Sequence, residues 1–344
     1  MVKLTYKDAG VDVAAAGRLV RSVAPVARRT ARPGVMGGIG GFGGLFDLTR
    51  IRGRRPVLVS STDGVGTKLR IAFMADRHDT VGIDLVAMGV NDIITQAAEP
   101  LFFLDYFATG TLQPATFRAV VAGVAEGCRQ AGCALLGGET AELPSFYRDG
   151  EYDLAGFCVG IVEKDRIPDP RRVRAGDVII GLPSSGLHSN GYSLARKVLL
   201  ETARLKLRSR VAELGQPLED ELLKPTRIYA ALIRGLTARH RIKGIAHITG
   251  GGIVENLPRV LPPGLRAWVR RGSWPVPPVF DLIARLGGVP QAEMDRTFNN
   301  GIGVALVVGA EAADGVRRAL RRRREPHFVI GEVRKGRRGV SFTK

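Results

Sequence analysis

The chain reads Ser60-Ser61-Thr62-Asp63-Gly64-Val65-Gly66-Thr67-Lys68 where a strand rich in β-branched residues, opening at Pro56, runs into a glycine turn and ends on a hydroxyl and an ammonium. Gly64 and Gly66 free backbone N–H groups to converge on an anion, Lys68 adds positive charge, and Asp63 suits a hard cation such as Mg²⁺. The segment points to phosphate chemistry at the end of a strand. It is not a Walker A loop, because no GxxxxGK[ST] spacing occurs around it. A plain Asp-Gly turn on the surface would use the same letters, so the surroundings have to decide.

Working outward, Gly82-Ile83-Asp84-Leu85 is followed by Asn91-Asp92 at a spacing that returns to one face of a helix. Asp84, Asn91 and Asp92 beside Val86, Met88 and Val90 would suit a magnesium-nucleotide complex; the alternative is an N-capping aspartate followed by ordinary polar positions. Leu136-Gly137-Gly138-Glu139-Thr140-Ala141-Glu142 reads as a buried strand ending in two glycines and a carboxylate, or else as a strand-terminating turn. Three acid-bearing segments in one half of the chain suggest a metal-phosphate centre. Upstream, Gly38, Gly40 and Gly43 satisfy GxGxxG, but no strand precedes them and no helix follows, so a mobile loop closing over a nucleotide fits better than a Rossmann turn.

The second half repeats the design. Ser184-Ser185-Gly186-Leu187-His188-Ser189-Asn190-Gly191 and His247-Ile248-Thr249-Gly250-Gly251-Gly252 each stand between a strand and the start of a helix, as anion cradles do. His188 could hold a phosphate or shuttle a proton, although a lone loop histidine is more often structural. Residues 294–303, with Asn299 and Asn300, enter a further strand and could line the same cleft.

Short apolar runs alternating with amphipathic stretches give an α/β or α+β protein. Strands are expected at residues 56–61, 101–107, 134–136, 154–162, 177–182, 244–248 and 303–308. Helices are expected at 85–98, 114–132, 192–202, 226–239 and 310–323. The proline-bearing stretch 167–174 separates a first domain, 1–165, from a second, 166–344.

With 344 residues, 45% of them hydrophobic, the chain can bury a sizeable core. No apolar run reaches the roughly 20 residues that cross a bilayer, and Lys3, Lys7 and Asp8 stand where a signal peptide would be apolar. A cytoplasmic protein without membrane contact is expected. Cys128, Cys133 and Cys158 form neither a CxxC pair nor an even set, so they read as reduced core residues. The net charge of +18 raises the question of a nucleic-acid partner. Arginine clusters at 28–32, 50–55, 171–174 and 317–324 lack stacking aromatics, zinc fingers or a helix-turn-helix, so no nucleic acid is expected and the charge is read as solvated faces that also attract small phosphorylated ligands.

Taken together, these segments resemble the phosphoribosylformylglycinamidine cyclo-ligases, also called aminoimidazole ribonucleotide synthetases. The likeness starts at Tyr6-Lys7-Asp8-Ala9-Gly10-Val11-Asp12 and runs through the glycine loop, residues 62–68, 78–92, 99–110, 137–142, 152–163, 184–192, 225–229, 247–260 and 293–303. Relatives that share only the ATP domain, such as thiamine-phosphate kinases and selenophosphate synthetases, would not be expected to carry the Tyr6 opening, Phe102-Phe103-Leu104-Asp105-Tyr106 and the two second-half blocks together. The chain departs from the family pattern at Leu143, Ser145, Ile253 and Asn300, and 204–220 has no clear counterpart.

The resemblance implies a two-domain ATP-binding fold, with the N-terminal sheets of two chains joined into a shared barrel in a homodimer, a mixed-sheet α/β C-terminal domain, and a cleft between the domains. It implies ATP-dependent closure of the imidazole ring of formylglycinamidine ribonucleotide in purine biosynthesis. It assigns Mg²⁺ to Asp63, Asp84, Asn91, Asp92 and Glu139, and the ATP phosphates to Gly64, Gly66, Thr67 and Lys68 under a lid bearing Gly40, Gly41 and Gly43. Substrate would lie on Asp105, Ser189, Asn190, Thr249, Gly250, Gly251, Gly252 and Asn299, with His188, Asp63 and Lys68 in catalysis. A phosphotransferase on the same fold is the competing enzyme reading, and a charge-driven nucleic-acid-binding protein the competing non-enzyme reading.

Overall fold

The computed structural model describes residues 13–36, 45–50, 53 and 55–344, without the side chains of 13–17 and 50. The Tyr6 opening and the loop carrying Gly40, Gly41 and Gly43 lie outside these residues. The chain divides into two compact units, one of residues up to Ile93 with Glu99–Glu163, the other of Ile94–Ala98 with Lys164–Lys344.

The first unit carries α1 (Val13–Arg28), β1 (Pro56–Gly64), α2 (Leu69–Ala75), α3 (Val81–Ile93), β2 (Glu99–Thr109), α4 (Pro114–Ala131), β3 (Ala134–Glu142) and β4 (Tyr152–Glu163). Its sheet runs β1-β4-β2-β3, antiparallel except for the parallel β2/β3 pair. α3 and α4 cover one face of the sheet. The two helices lie unusually close, because a Cβ on Gly82 would fall 2.3 Å from the Val120 carbonyl and one on Gly123 would fall 2.5 Å from the Asp79 carbonyl. α4 has proline in its first turn and stops where Gly132 turns left-handed at φ +74°. On the opposite face Leu58 (57%), Phe157 (41%) and Tyr106 (40%) remain exposed, a row of large apolar side chains without cover in a single chain.

The second unit carries β5 (Val178–Pro183), α5 (Tyr192–Arg196), α6 (Leu218–Leu222), α7 (Ala230–Thr237), β6 (Gly244–His247), α8 (Gly252–Asn256), β7 (Leu265–Arg270), α9 (Pro278–Gly287), α10 (Gln291–Thr297), β8 (Ile302–Val308), α11 (Ala310–Arg322), β9 (Phe328–Lys335) and β10 (Val340–Thr343). The sheet order is β6-β8-β5-β9-β7-β10, antiparallel except for the parallel β7/β10 edge. β8 is buried at every position because sheet neighbours flank it on both sides and apolar side chains cover it. Two-residue ladders, Val35–Met36 with Leu45–Phe46 and Arg210–Val211 with Gln216–Pro217, complete the strands.

Several boundaries differ from the sequence reading. The helix expected over 85–98 starts at Val81 and ends at Ile93, and the strand expected to end at Leu136 continues to Glu142, so Gly137 and Gly138 lie within it. The helix expected from Tyr192 to Thr202 is α-helical only to Arg196 and widens to a π-helix over Lys197–Thr202. The one expected over 226–239 narrows to Ala230–Thr237. α1, α2, α6, β7, α9, α10, β9 and β10 were not expected. Proline explains three of them: Pro25 lies inside α1, Pro278 in the first turn of α9 and Pro290 just ahead of α10. At a helix start proline costs nothing, since its missing N–H would have no intrahelical partner.

Candidate functional site

In the first unit, backbone pairing lines up Asp63 (β1), Gly156 (β4), Asp105 (β2) and Gly138 (β3) across the sheet. Directly paired residues share a face, and this one is the helix-covered face, since Ser61 Oγ, two residues before Asp63, donates to Asp92 Oδ2 on α3 at 3.2 Å. Asp63 and Asp92 therefore lie on the same side of the sheet near the end of β1. Asp63 Oδ1 accepts the N–H of Gly64 at 2.7 Å, which fixes the carboxylate against the glycine turn. Gly66, at φ +69°, and Thr67 are exposed, so their backbone is open to an anion.

Not all the expected metal and phosphate residues join them. Lys68 Nζ lies 2.7 Å from Asp84 Oδ2, and both side chains are completely buried. Burial pulls the lysine below its ordinary pKa, against the opposing pull of Asp84. This pair ties the turn to α3, and the ammonium expected at the phosphates is inside the protein. Asn91 is buried as well. Glu139 pairs with Tyr106 and so lies on the open face of the sheet, opposite Asp63 and Asp105. Among the described residues no three His, Cys, Asp or Glu side chains are grouped to hold a metal.

Asp105 is half-buried, over the backbone of Gly138. Burial pushes its carboxyl up to about 7, with a backbone hydrogen bond pulling the other way. Because the folded state holds this proton more tightly than the unfolded chain, stability is full while Asp105 is protonated and falls as pH rises from about 4 through about 7. Asp105→Asn cannot ionise. Its stability relative to the unsubstituted chain is expected to rise by roughly 2 kcal/mol between pH 5 and pH 8, read from urea midpoints; parallel pH curves would show that Asp105 titrates normally. Cys128, Cys133 and Cys158 are buried free cysteines nearby, and burial raises the pKa of Cys128 and Cys158, which makes those thiols poor nucleophiles.

In the second unit β5 and β6 point the same way, both antiparallel to β8. Their C-terminal ends and the start of β8 therefore share one edge, where the loops at 184–191, 248–252 and 295–301 meet. Asn299 ties this edge together: its Oδ1 accepts from Ser184 Oγ at 2.9 Å and from the N–H of Gly301 at 2.8 Å, while Nδ2 donates to the Gly186 carbonyl at 2.8 Å. Asn256 does the same for the triple-glycine turn, donating to the carbonyls of Thr249, Gly250 and Gly252 at 3.3, 3.1 and 2.9 Å. A Cβ on Gly250 would lie 3.4 Å from Asn190 Oδ1, so the two expected cradles form one. Ser189 Oγ lies 3.1 Å from Thr226 Oγ1. The helices that follow, α5 and α8, have five residues each, too short for a useful dipole; an anion here is held by the turns' own N–H groups.

His188 has a different place from the one expected. It is 1% exposed, at φ +61°, and its Nε2 accepts the Ser185 N–H at 3.2 Å. The ring proton is thus on Nδ1, and the side chain props up the loop from below rather than facing solvent. Asn299 is likewise buried at 2% and holds loops in place. Sequence reading missed Asn256 and Thr226 as organisers of the cradle. The signal for Asn256 was its place four residues after Gly252, one helical turn on from the glycine turn; Thr226 lies in the 225–229 stretch, and nothing in its spacing joins it to Ser189. The departure at Asn300 has a simple basis, since the position is left-handed at φ +45° and asparagine is among the residues that tolerate it.

The two-unit α/β fold is found in a thiamine-monophosphate kinase from Stenotrophomonas maltophilia, with a TM-score of 0.67 and 18% identity over 93% of this chain and 95% of that one. HypE, a hydrogenase maturation protein of E. coli, matches with a TM-score of 0.67 and 20% identity over 95% and 94%. A HypE structure in complex with ATP matches at 0.67 and 19% over 97% and 93%. At such identities the likeness defines the class of fold. The family models for AIR synthase related protein match its N-terminal domain to residues 47–162 and its C-terminal domain to residues 174–344. The chain belongs to this family and, within it, to the phosphoribosylformylglycinamidine cyclo-ligases. Proteins of that name from Geobacillus kaustophilus and Myxococcus xanthus are 56% and 58% identical to it, over 98% and 96% of this chain and 97% and 96% of theirs.

Proposed function

We propose that the chain catalyses the ATP-dependent cyclisation of formylglycinamidine ribonucleotide to 5-aminoimidazole ribonucleotide, with release of ADP and phosphate, in purine biosynthesis. The observation that carries this reading is the identity with named cyclo-ligases over nearly the whole of both chains. The formyl oxygen attacks the γ-phosphorus and ADP leaves; the neighbouring nitrogen then attacks the activated carbon, phosphate departs and a proton is lost as the ring closes. The protein must neutralise a triphosphate, hold two reacting groups in register and keep water from the activated carbon.

The turn at Gly64, Gly66 and Thr67 is our assignment for the triphosphate. Mg²⁺ usually takes one or two carboxylates and completes its shell with phosphate and water, which suits Asp63 and Asp92 and does not require the five-ligand set. The ion would neutralise charge developing on the transferred group. Ser189, Asn190, Thr249, Gly250 and Gly251 would hold the ribose phosphate, with Gly252, Asn256 and Asn299 shaping the turns. Asp105 is assigned to substrate. We assign His188 to positioning of the 184–191 loop, not to proton transfer. The uncovered face with Leu58, Phe157 and Tyr106 supports a homodimer formed sheet to sheet, which sedimentation of the purified chain would check.

The direct test is to incubate the protein with ATP, Mg²⁺ and formylglycinamidine ribonucleotide and to detect the aminoimidazole by diazo coupling. Colour is expected from the wild type, and a loss of about a hundredfold or more in kcat from Asp63→Asn/Asp92→Asn. A stable phosphorylated product instead of the ring would replace this reading with a phosphotransferase.

A further inference from the structure

At the end of the second unit's sheet away from the glycine turns lies a cleft of about 710 Å³. It is built from the segment before β5 and the segment joining α7 to β6. β5 and β6 run parallel, so these segments sit at the strand starts, Val178 and Gly244, while the cradle sits at the strand ends, Pro183 and His247. Strands of this length separate the two by roughly 13 to 20 Å at about 3.3 Å per residue.

The lining is strongly basic, with seven Lys and Arg side chains against two aspartates. Asp169 is taken up by Arg171 at 3.0 Å, and Lys243 is engaged by Asp177 at 2.6 Å. Among the described residues, Lys164, Arg166, Arg239 and Arg241 have no carboxylate partner. α11 extends the same surface: Gly315, Arg318 and Arg322 recur at helical spacing, and a Cβ on Gly315 would lie 3.5 Å from His240 Cε1. Burial and, after it, the nearby Arg322, Arg239 and Arg318 all depress the His240 pKa, as expected where positive charge converges. Two arginine clusters far apart in sequence, at 171–174 and 317–324, are thus brought to one place.

We propose that this cleft is a second anion site that binds a compact oligophosphate, separate from the catalytic turns. Guanidinium forks match phosphate oxygens in pairs, which favours phosphate over carboxylate ligands. The volume is in the range of small-ligand sites. No Phe, Tyr or Trp lines the cleft, and His240 is its one aromatic ring, so recognition rests chiefly on the phosphate chain; a single-stranded nucleic acid would look for a row of stacking platforms.

The test is isothermal titration of the full chain, without Mg²⁺ and at fixed ionic strength, with inorganic tripolyphosphate, cytidine triphosphate and a single-stranded oligonucleotide. Tripolyphosphate and cytidine triphosphate are expected to bind this site within about threefold of each other, since the cleft has no Phe, Tyr or Trp platform for the base. Arg239→Ala/Arg241→Ala is expected to weaken tripolyphosphate at this site about tenfold or more, while cyclisation kcat/KM is retained. Arg318→Ala/Arg322→Ala, on the rim, should show a smaller loss. All four side chains are exposed, so the variants should fold. Unchanged tripolyphosphate binding in Arg239→Ala/Arg241→Ala would overturn the proposal, as would much tighter oligonucleotide binding that those variants abolish, which would make the surface a polymer-binding face.

Discussion

Lys68→Met is expected to lose about 3 to 5 kcal/mol of stability, which for a chain of two such units is a fall of about 10 °C in the melting of the first. The physical cause is the completely buried pair between Lys68 Nζ and Asp84 Oδ2 at 2.7 Å. Removing the ammonium leaves a carboxylate in a site that water does not reach, and the desolvation of that charge is no longer offset. Asp84→Asn should cost less, because an amide can still accept from the ammonium and the lysine can shed its proton. The double variant, Lys68→Met/Asp84→Leu, should recover much of the loss, since apolar groups of similar volume need no partner. Calorimetry of all three separates the cost of stranding one charge from the worth of the pair. A Lys68→Met protein that melts normally but no longer binds ATP would return Lys68 to the role its sequence suggests, at the phosphates.

The second large effect is expected at the triple-glycine turn, where neighbouring glycines have different tasks. Gly252 sits at φ +58°, and a Cβ there would fall 1.9 Å from the Asp295 carbonyl and 2.8 Å from that of Phe298. Both obstacles are backbone, so Gly252→Ala has to push the 295–298 segment away while adopting a left-handed conformation. A loss of about 3 kcal/mol or more follows, with the Asn256 bonds to the turn broken as well. Gly250 is not left-handed, and its Cβ would make an ordinary contact 3.4 Å from Asn190 Oδ1. Gly250→Ala should therefore fold normally but intrude on the cradle, raising KM for the ribonucleotide about tenfold with little change in kcat. Melting curves and steady-state kinetics on both variants separate the tasks. A Gly250→Ala enzyme with unchanged KM would move the ribose phosphate elsewhere.

Much of the fold was legible because its elements bury one face or both, and burial imposes a period on the letters. The run at 101–107 and the helix from Pro114, stopped at Gly132, could be read directly. α9 and α10 could not be, since prolines that signal a break are harmless at a helix start. β10, at the sheet edge, is half-exposed throughout and short, and β7 beside it buries only Ala267 and Val269, so their apolar signal is weak. Among candidate site residues, Ser189, Asn190 and the glycines at 250–252 could be singled out because glycines and small polar residues between a strand and a helix have few other uses, and the structure brings the two loops together.

By itself, then, the sequence determined the identities that chemistry requires: carboxylates and glycines at strand ends, a family pattern across the chain, and an excess of arginine. Only the tertiary structure decided which of these letters meet. It buried Lys68 against Asp84, turned Glu139 to the other face from Asp63, put His188 beneath its loop and joined arginines from 239–241 and α11 around one cleft. The reason is that local spacing specifies which face of its own element a residue occupies, whereas burial and partnership depend on what another element packs against that face.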